Sequence, residues 1–81
     1  MSTLATEDQV QSLVVDSLRS FGAEAEQITP ESTFESLDID SLDLAELSQI
    51  VHEQLGVELK GADVAAIATV GDAVALIVSR L

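Results

Sequence analysis

Apolar residues recur at helical spacing along three stretches of the chain. In the first stretch, the apolar positions that share one helical face are Val10, Leu13, Val14, Leu18 and Phe21. Thr6-Glu7-Asp8-Gln9 fits a capping box, in which a hydroxyl at the helix start is followed three residues later by a Gln. The pattern predicts a helix that begins at Thr6 and stops at Gly22, since Gly accepts the left-handed backbone found past a helix end.

The second amphipathic stretch is predicted to begin near Ser41. Asp40 is the expected N-cap, and Asp43 lies at the third helical position, where a negative charge meets the positive end of the helix dipole. The predicted buried stripe consists of Leu47, Ile50 or Val51, and Leu55. Gly56 is the predicted end of this helix.

A final helix is predicted after Thr69-Val70-Gly71-Asp72, which resembles a cap with an acid at the third helical position. The predicted buried side of this helix consists of Val70, Val74, Ile77 and Leu81. A short helix over Ala62 to Ile67 is expected to precede it. Val57-Glu58-Leu59 alternates but is too short to found a sheet alone.

Residues 23–40 have no sustained apolar period and are predicted to form a long loop. Thr29-Pro30 favours one short turn there, because Pro fits the first position of a helical turn. The apolar residues expected to pin the loop to the core are Ile28, Phe34, Leu37 and Ile39. The chain is therefore predicted to be all-α, a single domain over residues 1–81. We expect a small bundle of three main helices plus one short helix, with the long loop between the first two.

Charge narrows the set of partners. The 81 residues carry a formal net charge of −12, and between Arg19 and Lys60 there are ten Asp or Glu and no Lys or Arg. Such a surface repels nucleic acid and anionic membranes, whereas it attracts proteins with basic patches. No apolar run approaches the roughly 20 residues needed to span a bilayer, and the first residues lack the pattern of a signal peptide. We expect a cytoplasmic monomer that meets basic partner proteins.

Few residues could support chemistry by the chain itself. There is no Cys, His52 is the single His, and the four Gly stand apart, so a disulfide, a Cys-based zinc site and a glycine-rich phosphate loop are excluded. The segment from Asp38 resembles the start of a calcium loop. It has Leu42, Asp43 and Gln49 where that loop requires an oxygen ligand, a Gly and a Glu. We therefore expect neither catalysis by this chain nor a resident metal.

Ser41 is the main candidate for a functional residue. It follows a long pinned loop and opens an amphipathic helix, so its hydroxyl is expected to be exposed. A helix N-terminus also stabilises an attached phosphate through its dipole and free amides. The plain alternative is a helix-start serine that only satisfies free N–H groups. The nearby acids would repel an anionic substrate unless a divalent cation bridged Asp40 or Asp43 to the phosphate.

The segment Leu37-Asp38-Ile39-Asp40-Ser41-Leu42-Asp43 resembles the Asp-Ser-Leu signature of the acyl carrier proteins. The resemblance extends over almost the whole chain and is weakest in the first helix. The other matching segments are Ile28 to Phe34 in the loop, Leu42 to Leu47 and Leu55 to Leu59 at the two ends of the second helix, and Ala68 to Ala73 at the start of the last.

This resemblance implies that a phosphopantetheinyl transferase moves 4′-phosphopantetheine from coenzyme A onto Ser41, with magnesium that Asp40 helps to place. The thiol of the arm would carry acyl groups as thioesters to acyl-loading and acyl-transfer enzymes, so the chain would be a carrier and not an enzyme. Family members can fold the acyl chain into a cleft between helices. Their partners dock on the second helix, and the residues that match this docking face are Asp43, Glu46 and Glu53, with Leu44 as an exposed apolar contact beside them.

Some positions depart from the family pattern. Asp38 stands where Gly is frequent, and Gln49, His52 and Gln54 make the second helix less acidic than in many fatty-acid carriers. These departures favour a polyketide or lipopeptide pathway over housekeeping fatty-acid synthesis. Two alternatives stay open. One is an aminoacyl or peptidyl carrier, which often has Gly-Gly where this chain has Ile39-Asp40. The other is an acidic helical interaction module in which the serine is unmodified.

Overall fold

Helices supply the regular structure of the computed structural model, which describes residues 2–81 and the side chains from residue 7 onward. In chain order the elements are α1 (Ser2–Ser20), the 3₁₀ turn η1 (Ala25–Gln27), α2 (Ser41–Leu55), α3 (Gly61–Ala66) and α4 (Val70–Ser79). The described residues form no strand, and one isolated antiparallel bridge joins Thr33 to Thr69. The predicted all-α bundle of three main helices and one short helix is confirmed.

An aliphatic core lies where α1 packs against both α2 and α4. Its largest fully buried side chains are Val10, Val14, Leu18, Leu47, Val51 and Ile77. The burial of each such side chain is worth about 1.5–3 kcal/mol relative to leaving it in water. The helical spacing of apolar residues in the sequence thus translates directly into the contacts that hold the three long helices together.

The predicted start of α1 is wrong, and its predicted end is confirmed. The helix is already formed at Ser2, so Thr6 cannot be its cap; the side chain of Thr6 lies outside the described residues. Residues 2–5 include neither Gly nor Pro, so nothing in the sequence stops the helix from extending backwards past the apparent capping box. The chain leaves the helix at Gly22, which has a φ of 111°.

Both predicted ends of α2 are confirmed. The Asp40 carboxylate accepts a hydrogen bond of 2.9 Å from the Asp43 amide and so caps the first turn. Gly56 follows the last residue with a φ of 72°, a left-handed conformation that is strained for a residue with a Cβ. Within the helix Leu47 and Val51 are buried, so the stripe runs through Val51 and not through Ile50, which is half-buried.

The start of α4 is also confirmed. Thr69 Oγ1 accepts from the Asp72 amide at 3.1 Å, and the Asp72 carboxylate accepts in return from the amides of Ala68 and Thr69, each at 3.2 Å. These two amides hold the pKa of Asp72 below its usual value. Leu81 was predicted to share the buried side of this helix, and that prediction is wrong. The helix ends at Ser79, and Leu81 lies past it with 54% of its surface exposed.

The short helix α3 begins one residue before its predicted start and is tied to the end of α4 by an ion pair. Arg80 donates two hydrogen bonds of 2.7 Å to the Asp63 carboxylate, one from each terminal nitrogen. Arg80 also donates to the Glu58 carbonyl oxygen at 3.3 Å. The hydrogen bonds from Arg80, supported by the Lys60 amide, lower the pKa of Asp63 to about 2.

The long loop is fastened to the start of α4 by a backbone strap. The strap consists of three hydrogen bonds: Val70 amide to Ser32 carbonyl at 2.9 Å, Gly71 amide to Pro30 carbonyl at 2.9 Å, and Phe34 amide to Ala68 carbonyl at 3.2 Å. The predicted turn after Thr29 is confirmed by a bond of 3.0 Å from the Ser32 amide to the Thr29 carbonyl. The expected pins are also confirmed: Phe34, Leu37 and Ile39 are buried, and Ile28 packs against the core.

Candidate functional site

A hydrogen-bonded turn lies directly before Ser41 in the chain. The Ile39 amide donates to the Phe34 carbonyl at 2.9 Å, and the side chains of both residues are buried. Asp38 lies inside this turn with a φ of 60°, in the left-handed region that glycine prefers and that Asp tolerates better than most residues. The turn therefore fixes the start of α2 to the core while it leaves the next residues in solvent.

Ser41 is the first residue of α2 and is exposed. Because the carboxylate of Asp40 caps the amide of Asp43, the Ser41 hydroxyl is not needed to satisfy the first turn. The first intrahelical bond runs from the Leu44 amide to the Asp40 carbonyl at 3.0 Å. The amides of Ser41 and Leu42 precede it, so they remain available to an oxyanion at this helix end.

A shallow groove lies beside the first turn of α2. Its volume is about 350 Å³, and its apolar walls include Phe34, Ile39, Leu44 and Ile67. The groove thus joins the pinned loop, the start of α2 and the residue that follows α3. An apolar chain tethered near Ser41 would find hydrocarbon surface here.

Comparison with known proteins identifies the family to which the chain belongs. The profile described as the phosphopantetheine attachment site matches residues 8–77. An acyl carrier protein of Nitratidesulfovibrio vulgaris (strain DSM 19637 / Miyazaki F) is 36% identical over 78 residues, which cover 95% of this chain and 99% of that protein. The acyl carrier proteins of strains DP4 and Hildenborough are each 39% identical over 72 residues, which cover 88% of this chain and 91% of theirs. The chain belongs to the acyl carrier protein family.

Acyl carrier proteins are carriers and not catalysts, and their domain receives phosphopantetheine from a transferase before acyl-handling enzymes load it. His52, the single His of the sequence, is exposed in the fourth turn of α2, and its carbonyl oxygen accepts a hydrogen bond from the Gly56 amide. Among the described residues no three His, Cys, Asp or Glu side chains gather as a metal site. None of the described helices is long and apolar enough to cross a membrane.

The residues predicted as a docking face on this carrier domain are only partly brought together. Glu46 and Glu53 are exposed on one side of α2, and Asp43 is half-buried nearer the core. Leu44 was expected to be exposed beside them; it is half-buried instead, because it packs against the core and lines the groove. The exposed leucine is Leu42, with 77% of its surface in solvent.

Sequence reasoning missed Leu42, although a signal for it was present. Leu42, Glu46 and Glu53 are four and seven residues apart in turn, spacings that place them along one helical face. Gln49 belongs to the same row, and its amide donates to Glu53 at 3.4 Å. The exposed row on α2, defined as Leu42, Glu46, Gln49 and Glu53, therefore begins directly after Ser41 with an apolar residue.

Proposed function

We propose that Ser41 is the residue that carries the phosphopantetheine arm, and that the arm transports acyl intermediates as thioesters. The observation that supports this most strongly is the combination of an exposed hydroxyl with a helix start that is already capped by Asp40. The hydroxyl is free to react, and its modification removes no hydrogen bond that the fold needs. We propose that residues 1–81 act as one carrier domain.

The loading step transfers the phosphopantetheine arm from coenzyme A to Ser41. Ser41 Oγ attacks the phosphorus that bears the pantetheine arm of coenzyme A, and the bond from that phosphorus to the leaving phosphate breaks. Adenosine 3′,5′-bisphosphate leaves, and the hydroxyl proton passes to a base of the transferase. The product is a phosphodiester at the N-terminus of α2, where the dipole and the two free amides stabilise negative charge.

Asp40 is proposed to support the magnesium ion used in this transfer. One of its carboxylate oxygens accepts from the Asp43 amide, and a carboxylate retains further acceptor sites after one such bond. Magnesium keeps several waters and is often bound by one or two carboxylates together with substrate phosphates. Asp40 can therefore contribute one ligand, and the transferase, water and coenzyme A would supply the others.

The test of this proposal is loading measured by intact mass. The protein is incubated with coenzyme A, magnesium and a broad-specificity phosphopantetheinyl transferase. The wild type should gain the mass of one arm, and Ser41→Ala should gain none. Ser36→Ala is the matched control, since Ser36 is also exposed and lies in the same loop-to-helix segment. The proposal fails if Ser41→Ala is loaded, or if the arm is found on another serine.

The exposed row on α2 is the proposed docking surface for the transferase and for acyl-handling enzymes with basic patches. Its acids would raise the association rate with a basic partner, and Leu42 would add an apolar contact beside the arm. Asp43 lies at the edge of this surface. A chain with a net charge of −12 favours such protein partners over nucleic acid or anionic membranes.

The composition of the second helix also bears on which pathway the carrier serves. The less acidic second helix, with Gln49, His52 and Gln54, favours polyketide or lipopeptide synthesis over housekeeping fatty-acid synthesis. An aminoacyl or peptidyl carrier is the second candidate, and Asp40 argues against it because such carriers often have Gly before the serine. We expect the carrier to act as a monomer in the cytoplasm, where coenzyme A is available. The mass of the arm on protein from the native host would identify its cargo.

A further inference from the structure

A small pocket, the α1–α4 pocket, opens between α1, the long loop and the start of α4. Its volume is about 130 Å³, and none of the described residues of α2 or α3 lines it. Pockets for drug-sized ligands measure about 300–1,000 Å³, so this one has room for a single side chain or a few waters. Its apolar walls are Val15, Ile28, Pro30, Val70, Val74 and Ala75.

One edge of the α1–α4 pocket is acidic. Glu7 and Gln11 line it from α1, one helical turn apart, and both side chains are exposed. The same surface continues past Gln11 and Val15 into a shallow depression whose lining includes Asp8 and Asp16. The pocket therefore combines an apolar interior with a negatively charged edge.

The cations of this chain are placed elsewhere. The sequence has three basic residues, and none of them is among the described residues that line the pocket or the depression beside it. Arg80 is held by the Asp63 carboxylate, Lys60 is the N-cap of α3, and Arg19 lies in the last turn of α1. We expect a cation that pairs with Glu7 in the pocket to come from another molecule.

We propose that the α1–α4 pocket is a second docking point, which receives a lysine side chain of a basic partner protein independently of the exposed row on α2. Lysine matches both parts of the pocket, because its four-carbon stem can be buried against the apolar walls while its ammonium group stays at the wet edge beside Glu7 and Gln11. The net charge of −12 speeds the encounter with such a partner. A partner held here leaves Ser41 accessible, so one protein could tether the carrier while another serves its arm.

Two other occupants would behave differently. An apolar side chain of a partner would use the walls and ignore the acids, so its binding would not depend on Glu7. If the pocket is only a gap in the packing, water alone would fill it, and no side chain would bind there. The dependence of binding on the ammonium group and on Glu7 therefore separates the three cases.

The experiment uses three short peptides with capped ends, in which the residue between two glycines is lysine, norleucine or Nε-acetyllysine. Norleucine keeps the four-carbon stem of lysine without its ammonium group, and acetylation keeps the length while it removes the charge. Binding to the isotope-labelled, unmodified chain at low salt is followed by NMR shifts of backbone amides, since one side chain binds weakly.

Two pairs of variants locate the binding. Ala75→Leu fills the pocket, and Ala65→Leu is its matched control, because Ala65 is exposed on α3 and outside the pocket. Glu7→Gln removes the charge at the edge of the pocket. Glu58→Gln is the control for this change, because it removes the same charge from an exposed residue that does not line the pocket.

In the wild type, the lysine peptide should shift the amides of the pocket and bind about threefold more tightly than the norleucine peptide, the effect of one exposed ion pair. Glu7→Gln should remove that difference and Ala75→Leu should abolish the shifts, whereas Ala65→Leu and Glu58→Gln should match the wild type. The proposal is overturned if either uncharged peptide binds as tightly as the lysine peptide, or if no peptide shifts the amides of the pocket. Shifts centred on the exposed row on α2, or unchanged binding to Ala75→Leu, would overturn it as well. Because the chain is unmodified, the result does not depend on attachment at Ser41.

Discussion

Gly71 is the position where a single methyl group should damage the fold most. It is the second residue of α4, and its amide donates to the Pro30 carbonyl as part of the backbone strap. A Cβ at Gly71 would lie 2.9 Å from that same carbonyl oxygen. The contact is with backbone, which cannot move aside as the end of a flexible side chain can. Gly71→Ala must therefore push the loop away from α4.

The destabilisation expected from Gly71→Ala can be worked out from the contacts that moving the loop would break. One backbone hydrogen bond contributes about 0.5–1.5 kcal/mol, and forcing an extra carbon into a packed site costs about 1–3 kcal/mol. Gly-to-Ala in a helix returns up to about 1 kcal/mol through propensity. We expect a net loss of about 1–3 kcal/mol in the free energy of unfolding. For a domain of this size each kcal/mol corresponds to about 4–8 °C in Tm.

The assay is thermal and urea unfolding followed by far-ultraviolet circular dichroism. Gly61→Ala is the matched control, because Gly61 opens α3 and a Cβ there meets nothing within 4 Å. It should leave stability unchanged or raise it by up to about 1 kcal/mol. If Gly71→Ala proves as stable as the wild type, the strap does not constrain the loop as described. Equal destabilisation by both variants would point to the loss of glycine itself and not to the contact with Pro30.

Three further outcomes are expected. Because Arg80 lowers the pKa of Asp63 from 3.8 to about 2, their pairing should stabilise the fold fully above about pH 4 and be lost as pH falls through 2. Asp63→Asn should accordingly unfold more easily than the wild type at pH 7, and a stability gap that is undiminished at pH 2 would refute the assignment. Added salt or magnesium should raise Tm by screening the net charge of −12, with a Debye length of about 10 Å at 0.1 M; an unchanged Tm would mean that the acids scarcely repel each other. Glu46→Lys should slow loading by the transferase at low salt and flatten its salt dependence, whereas Glu7→Lys on α1 should not; equal rates in both variants would exclude docking through Glu46.

Features that depend on neighbouring residues were predictable from the sequence. The caps formed by Asp40 and Thr69 and the stop at Gly56 each follow from a few consecutive residues, and the structure has all three. The predicted cap at Thr6 was wrong because a local pattern shows that a helix can begin there, not that it does. The turn η1 went unnoticed because three residues are too few to show a period.

Features that depend on distant parts of the chain were not predictable. Leu44 was expected in solvent because it falls outside the stripe of Leu47 and Val51. In the folded chain Leu44 is half-buried against the core and lines one groove with Phe34 and Ile67. The same packing leaves Leu42 exposed. At the site, the exposure and position of Ser41 could be predicted, but the groove beside it required the placement of α3.

The separation of Arg80 from Asp63 illustrates the same limit. The two residues lie seventeen positions apart, and no periodicity relates them. Their pairing depends on where α4 ends and on how α3 is oriented.

The backbone strap also bears on how the chain reaches its fold. Its hydrogen bonds join residues that lie 34 to 41 positions apart, whereas helices form from contacts between near neighbours. Closing so long a loop is entropically costly, so the strap should form after the helices have begun to pack. Contacts made that late govern the unfolding rate more than the folding rate. We therefore expect weakening of the strap to speed unfolding more than it slows folding.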